Sequence, residues 1–240
     1  MSTLVLVRHG QACAFSDDPD RLSELGWEQA RILGRYWASR YTRFDAVFRG
    51  TLRRQRETFE AVAEEYHHHG VAFPEAVAIP GLNEYDAQDL VKVIAPRIAE
   101  QDAGFAPLWT AWQAESGGPE ENRRFQLMFE ALVSRWIGGH LDGHGLEPWE
   151  EFQRRVGGAF SQIRASSSRG ARLAAFTSGG PIGVAVQSCL GAPPMAALQL
   201  NWRVRNSSLT TFLFSGSRVS VDEFNELPPL VDTPSAVTFR

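Results

Sequence analysis

Short apolar runs alternate with helically spaced apolar patterns along the chain. Leu4 to Val7 form an uninterrupted apolar run that is followed by Arg8, His9 and a bounding Gly10, which is typical of a parallel strand buried on both faces. Ser23 stands where a helix N-cap is expected. Apolar residues recur after it at helical spacing, at Leu25, Ile32, Leu33, Tyr36 and Trp37. The pattern predicts a buried strand followed by an amphipathic helix.

The same alternation continues over most of the chain. Further strands are predicted at 45–48, 77–79 and 173–176, helices at 52–66 and 150–166, and an antiparallel hairpin at 208–214 and 219–224. Strands that alternate with crossover helices indicate an α/β fold, a three-layer sandwich with a mostly parallel central sheet and helices on both faces. We expect one domain over residues 1–240, with a helical insertion at about 87–145 and a tail over the last dozen residues.

The composition of the chain argues against some classes of binding partner. The chain has 24 Lys and Arg against 28 Asp and Glu, a net charge of -4, and a protein of this charge has no broad basic face for nucleic acid or an anionic membrane. The two cysteines, Cys13 and Cys189, are too few for a disulfide framework, so we expect a reducing, cytoplasmic setting. The first apolar run is too short for a membrane span or a signal. The oligomeric state is left open.

Polar groups follow four of the predicted strands. They are Arg8 and His9, then Arg49, Arg53, Arg54 and Arg56, then Glu84, and finally Ser178, Gly179 and Gly180. Each group alone has an ordinary structural explanation, such as a solvated helix start or a routine strand-to-helix turn. Because the carboxyl ends of parallel strands meet at one edge of a sheet, together they predict a site for a tetrahedral phosphate.

Several stretches resemble the histidine phosphatase superfamily, the phosphoglycerate mutase-like proteins. LVLVRHGQ followed by LSELGWEQA is similar to the opening of that family, and GTLRRQRETF resembles its S-P-L-x-R-A-x-Q-T-A helix start, which implies that Arg54 is the second phosphate-binding arginine. LNEYD resembles the L-x-E segment and implies a proton donor at Glu84. RNSSLTTFLF resembles the closing N-x-S strand. The resemblance covers about residues 1–90 and 145–224.

The chain departs from the family pattern at one position. The second histidine of the family stands in S-H-G-G, whereas this sequence has Thr177, Ser178, Gly179 and Gly180. A serine donates a hydrogen bond but carries no positive charge, so stabilisation of the transferring phosphoryl group is expected to fall by about a few kcal/mol if nothing replaces the imidazole. Activity is therefore expected to be reduced or re-tuned.

The resemblance and the residue chemistry imply a mechanism without a metal or other cofactor. His9 is expected to attack phosphorus with one ring nitrogen while a backbone carbonyl holds the other. Glu84, protonated through burial or nearby anions, would supply and recover a proton. The expected phosphate-binding residues are Arg8, Arg54, Ser178, Gly179 and Gln11. For Gln11, a loop-capping role is an equal alternative.

We therefore expect a phosphomonoesterase that acts through a phosphohistidine on a small phosphorylated metabolite or a phosphoprotein. The alternative is a catalytically weak or inactive member of the same fold that binds phosphate or regulates, and Ser178 motivates it. Phosphoglycerate mutase activity is less favoured, because a mutase must retain and return the phosphoryl group and its longer substrate-contact segments have no match here.

Overall fold

The computed structural model describes residues 1–13, 18–141, 145–231 and 233–239. The contacts divide the chain into two compact units, one made of Met1–Glu84 and Arg155–Arg240 and the other of Tyr85–Arg154. The predicted insertion lies inside the second unit. That the whole chain acts as one domain stays a prediction.

The first unit is built around a mixed β-sheet. Its strands are β1 (Ser2–Arg8), β2 (Ala46–Arg49), β3 (Ala76–Ala78), β4 (Arg172–Thr177), β5 (Leu209–Ser215) and β6 (Arg218–Glu226). Within the described residues they form one six-stranded sheet in the order β3-β2-β4-β1-β5-β6. Strands β1 to β4 are mutually parallel, and β5 is antiparallel to β1 and β6. The predicted mostly parallel sheet is confirmed.

Helices cover both faces of this sheet. The helices of the first unit are α1 (Glu24–Ser39), α2 (Arg53–His68), α8 (Gly179–Leu190), α9 (Pro194–Asn201) and most of α7 (Trp149–Ala165), whereas α3 (Ala87–Asp89), α4 (Ala95–Gln101), α5 (Ala106–Ala114) and α6 (Glu121–Ile137) belong to the second unit. A π-helical stretch, Leu90–Ile94, joins α3 to α4. Leu33 of α1 and Val62 of α2 pack in one core, whereas Ile163 of α7 and Ile182 of α8 pack in another. This is the expected three-layer α/β sandwich.

The alternation of side chains along β1 explains why it lies at the centre. Val5 and Val7 enter the core shared with α1 and α2, and Leu4 and Leu6 enter the opposite core. A strand with apolar side chains on both faces is stable only between two layers, since either exposed face would leave them in water. Its carboxyl end therefore emerges at the sheet edge beside the end of β4, where Arg8 pairs with Thr177.

The second unit is helical, as predicted for the insertion. The rings of Tyr85, Trp149 and Phe152 lie 4.9, 5.1 and 5.7 Å from that of Trp136, which is 1% exposed. Such offset and edge-to-face ring pairs give this unit an aromatic core of its own.

The expected C-terminal tail is wrong in part. Leu230 and Ala236 are buried with Leu227, and Leu25 and Ile32 of α1 pack against them. Spaced apolar residues between the prolines therefore give this segment a small core. None of the helices in the described residues is long and apolar enough to cross a membrane.

Candidate active site

His9 continues the ladder of the parallel strands. Its backbone N–H donates to the Thr177 carbonyl of β4 at 2.9 Å, and its side chain is buried. Its Nδ1 lies 2.7 Å from the Gly10 carbonyl oxygen. A carbonyl oxygen only accepts, so Nδ1 carries the proton and Nε2 keeps its lone pair.

The surroundings of His9 keep its ring neutral. Burial lowers the pKa of His9 well below its ordinary value of 6.5, and the positive charges of Arg54 and Arg8 lower it further. The hydrogen bond to Gly10 acts in the opposite direction and is the smallest cause. The neutral imidazole thus keeps a lone pair on Nε2, which is what a nucleophile needs.

Arg54, in the first turn of α2, is the arginine that contacts the imidazole. Its Nε lies 3.2 Å from Nε2 of His9, and its Nη1 lies 2.6 Å from Oδ1 of Asp20. The hydroxyl of Thr58 donates to the Arg54 carbonyl at 2.7 Å and accepts from the Gly10 N–H at 3.0 Å. Thr58 therefore joins the loop that carries His9 to α2, the helix that carries Arg54.

Other nearby arginines have different partners. Arg8, at the end of β1, donates to the Val204 carbonyl through Nη1. Arg53 contacts Glu57 at 2.6 Å, and Arg56 contacts Glu60 at 3.4 Å, each one turn along α2. Arg49 donates to the carbonyl of the residue after it at 3.0 Å. In the described part of the chain, Arg54 thus differs from Arg49, Arg53 and Arg56 by its contact with the imidazole.

The register of the strands places Ser178 beside His9, but the side chain of Ser178 hydrogen-bonds to another side chain of this protein. It is 0% exposed, and its Oγ lies 2.8 Å from the side-chain nitrogen of Gln55, which is also fully buried. The same Gln55 nitrogen donates to the Leu82 carbonyl at 3.0 Å. A Cβ on Gly179 would lie 2.1 Å from Oδ1 of Asn201, so that position has no room for a side chain.

Glu84 follows β3 and is held at the start of α8. The Gly180 N–H donates to its Oε2 at 2.9 Å, which uses one donor of the predicted phosphate-binding turn. Arg155 of α7 donates to the carbonyls of Asn83 at 2.7 Å and of Glu84 at 3.3 Å, so it fixes the loop that carries the carboxylate.

Gln11 makes loop contacts. Its side-chain oxygen accepts from the Ser23 hydroxyl at 2.9 Å, and that hydroxyl also caps α1 by accepting from the Gly26 N–H at 3.0 Å. Gly10 is needed here because its Cβ would lie 2.3 Å from the Gly26 carbonyl oxygen. The loop of His9 therefore rests directly on the first turn of α1.

Sequence reasoning missed Asp20, Gln55 and Arg155 as members of this site. Gln55 gave a signal, since it stands where the S-P-L-x-R-A-x-Q-T-A pattern has alanine. Asp20 and Arg155 gave none, because an acid in a loop and an arginine on a helix are ordinary surface residues. In the described residues, no three His, Cys, Asp or Glu side chains group as metal ligands would.

The sequence profile of the histidine phosphatase superfamily (branch 1) matches residues 4–135 and 118–227. The chain belongs to this superfamily. A 2,3-bisphosphoglycerate-dependent phosphoglycerate mutase of Methylorubrum extorquens (strain PA1) is 39% identical over 94 residues, 36% of this chain and 42% of that protein. A Methylorubrum populi mutase is 40% identical over the same shares. The chain thus covers less than half the length of these relatives.

Solved structures show the same fold. A phosphoserine phosphatase mutant of Entamoeba histolytica, in complex with phosphoserine, has a TM-score of 0.62 and 15% identity, over 96% of this chain and 100% of that one. YhfR of Bacillus stearothermophilus has a TM-score of 0.64 and 19% identity, over 96% and 100%. These neighbours share the α/β sandwich with a mostly parallel sheet.

Proposed function

We propose that this protein is a metal-independent phosphomonoesterase that acts through a phosphohistidine on a small phosphorylated molecule or a phosphoprotein. The supporting observation is the arrangement at His9: a buried neutral imidazole, protonated at Nδ1 by virtue of the Gly10 carbonyl, with Nε2 beside Arg54. A neutral ring nitrogen next to a guanidinium is suited to attack on a phosphate whose charge the arginine neutralises. Membership of the superfamily agrees with this chemistry.

In the first step, Nε2 of His9 attacks phosphorus and the bond from phosphorus to the ester oxygen breaks. Arg54 turns its donors from Nε2 to the phosphoryl oxygens, with Arg8 as the second guanidinium and Gly179 as a backbone donor. Glu84, protonated when the dianion arrives, gives its proton to the leaving alkoxide.

In the second step, water attacks the phosphohistidine. Glu84 takes a proton from the water, the nitrogen–phosphorus bond breaks, and its electron pair returns to Nε2 of His9. Inorganic phosphate leaves, and the imidazole is again neutral.

A specific observation favours a second candidate, a weak phosphate-binding relative. Ser178 and Gln55 occupy the place of the second histidine of the family pattern and hydrogen-bond to each other in the interior. Neither carries a positive charge, so stabilisation of the transferring group depends on the arginines.

Hydrolysis of para-nitrophenyl phosphate tests the proposal. We expect metal-free wild-type protein to release nitrophenol, and His9→Ala to lose at least about 10³-fold in kcat because the nucleophile is gone. His67→Ala is the control, since this histidine is exposed on α2. Equal background rates for wild type and His9→Ala would reject the phosphatase and leave the phosphate-binding candidate.

A second measurement separates hydrolysis from mutase chemistry. With 3-phosphoglycerate as substrate, a phosphatase releases inorganic phosphate, whereas a mutase moves the phosphoryl group to another hydroxyl. We expect phosphate release from any accepted substrate and no isomerised product. Accumulation of isomer would replace the proposed activity by mutase activity.

A further inference from the structure

A chain of polar side chains joins the C-terminal segment to the backbone at His9 and Gln11. The side-chain nitrogen of Asn206 donates to the His9 carbonyl at 3.1 Å. The side-chain oxygen of Gln29 accepts from the Gln11 N–H at 2.8 Å. Gln29 and Asn206 are 0% and 1% exposed. Two buried amides therefore hold the backbone that follows the imidazole, at the His9 carbonyl and at the Gln11 N–H.

Thr238 connects the two amides. Its hydroxyl donates to Oδ1 of Asn206 at 2.9 Å and accepts from the side-chain nitrogen of Gln29 at 2.8 Å. These bonds use the donor and one acceptor site of the hydroxyl, so its orientation is determined by its partners. One hydroxyl thus fixes the rotamers of both amides.

The chemistry makes this hydroxyl hard to replace. Without it, Oδ1 of Asn206 loses the donor on which it depends, and a buried acceptor without a partner is costly. Gln29 would keep its bond to the Ala236 carbonyl at 2.7 Å, and the Asn206 N–H would still donate to the Thr238 carbonyl at 2.9 Å. Removal of the hydroxyl therefore releases the connection between the two amides and leaves the segment docked.

We propose that Thr238 is a positioning residue, which sets the place of the His9 imidazole through Gln29 and Asn206. The inference rests on the proposed function, in which His9 is the nucleophile. It makes the C-terminal segment part of the catalytic apparatus, although this segment contributes no group to the phosphate itself. A nucleophile held loosely reacts slowly even when the substrate is bound, because attack needs a precise approach to phosphorus.

Thr238→Val tests the inference, because valine has the shape of threonine without its hydrogen bonds. We expect hydrogen exchange at the Gln11 amide, followed by NMR, to accelerate by about fivefold or more. For para-nitrophenyl phosphate we expect kcat to fall by about 10-fold while Kd for inorganic phosphate changes by less than about twofold, since Arg54 lies on another element. Thr238→Ser should restore both values.

Thr233→Val is the matched control, since it makes the same change in the same segment and its side chain forms no cap. Exchange and turnover of Thr238→Val like those of wild type would overturn the inference, and so would a loss that Thr238→Ser fails to restore. If Thr238→Val does not fold, Thr238→Ala takes the same measurements. If wild type shows no His9-dependent turnover, the proposed function fails, and the exchange rates alone decide whether Thr238 holds the loop.

Discussion

The imidazole of His9 is defined by one partner at each ring nitrogen. The Gly10 carbonyl accepts from Nδ1, and Arg54 donates to Nε2. In the other neutral tautomer, the proton on Nε2 would face the guanidinium and the lone pair on Nδ1 would face the carbonyl oxygen. Both contacts therefore favour the tautomer that carries its proton on Nδ1. They leave the lone pair on Nε2, as the proposed role of a nucleophile requires.

Ser178 and Gln55 are a second pair of residues whose side chains depend on each other. A histidine at 178 would compete for the space that the Gln55 amide fills, since that amide lies 2.8 Å from the serine oxygen. We expect Ser178→His alone to destabilise the protein by about 1–3 kcal/mol through overpacking and to give no gain in hydrolysis.

The double variant Ser178→His with Gln55→Ala is expected to recover stability, because alanine makes room for the ring. Its kcat/KM for para-nitrophenyl phosphate should exceed that of Ser178→His by about 10-fold or more, since an additional cationic donor reaches the phosphoryl group. Thermal unfolding and steady-state kinetics of both variants check this. A double variant no better than the single one would show that the two positions are not coupled.

At the scale of elements, the start of α2 is tied to the loop that precedes α1. Asp20 accepts from the Arg53 backbone N–H at 2.7 Å through Oδ2 and from Arg54 through Oδ1. A guanidinium and a helix N-terminal amide are the donors that a phosphate oxygen also prefers. Asp20 thus occupies donors that an incoming anion would use.

We expect Asp20→Asn to bind inorganic phosphate about fivefold more tightly, equivalent to about 1 kcal/mol, because the neutral amide no longer competes for Arg54. Isothermal titration calorimetry measures this. Asp18→Asn is the control, since Asp18 pairs with Arg53, which Glu57 also holds. Weaker binding by Asp20→Asn would mean that the carboxylate orients Arg54 for the anion.

At the scale of the whole molecule, the buried neutral His9 links folding to pH. Its pKa is below 6.5 in the folded chain and near 6.5 when unfolded, so the unfolded state binds more protons in the acid range. The contribution of His9 to the free energy of unfolding is therefore fully present above about pH 6.5. It falls as the pH decreases toward the pKa of His9 in the folded state, by at most about 1.4 kcal/mol per pH unit.

Urea unfolding at a series of pH values tests this link. We expect the free energy of unfolding of wild type to fall more steeply below about pH 6.5 than that of His9→Gln, which has no group to protonate at this position. His67→Gln, at an exposed site, should follow wild type. Parallel curves for wild type and His9→Gln would contradict the prediction.

Local pattern determined the architecture of the first unit. The continuous apolar run before Arg8 required a strand covered on both faces, and the helical spacing after Ser23 supplied a covering layer. The order of the strand ends, together with the resemblance to the family motifs, brought His9, Arg54 and Glu84 to attention. The C-terminal segment was misjudged, since its few apolar residues have no regular period.

By itself, the sequence determined the α/β fold and the chemical types at the strand ends, because periodicity and strand ends are local properties of the chain. Only the tertiary structure decided the partners: Gln55 for Ser178 across 123 residues, Asp20 for Arg54 across 34, and Thr238 for Gln29 across 209. Each pair joins common polar residues far apart along the chain. Such contacts leave no periodic trace in sequence, since they arise only when packed elements bring the two groups together.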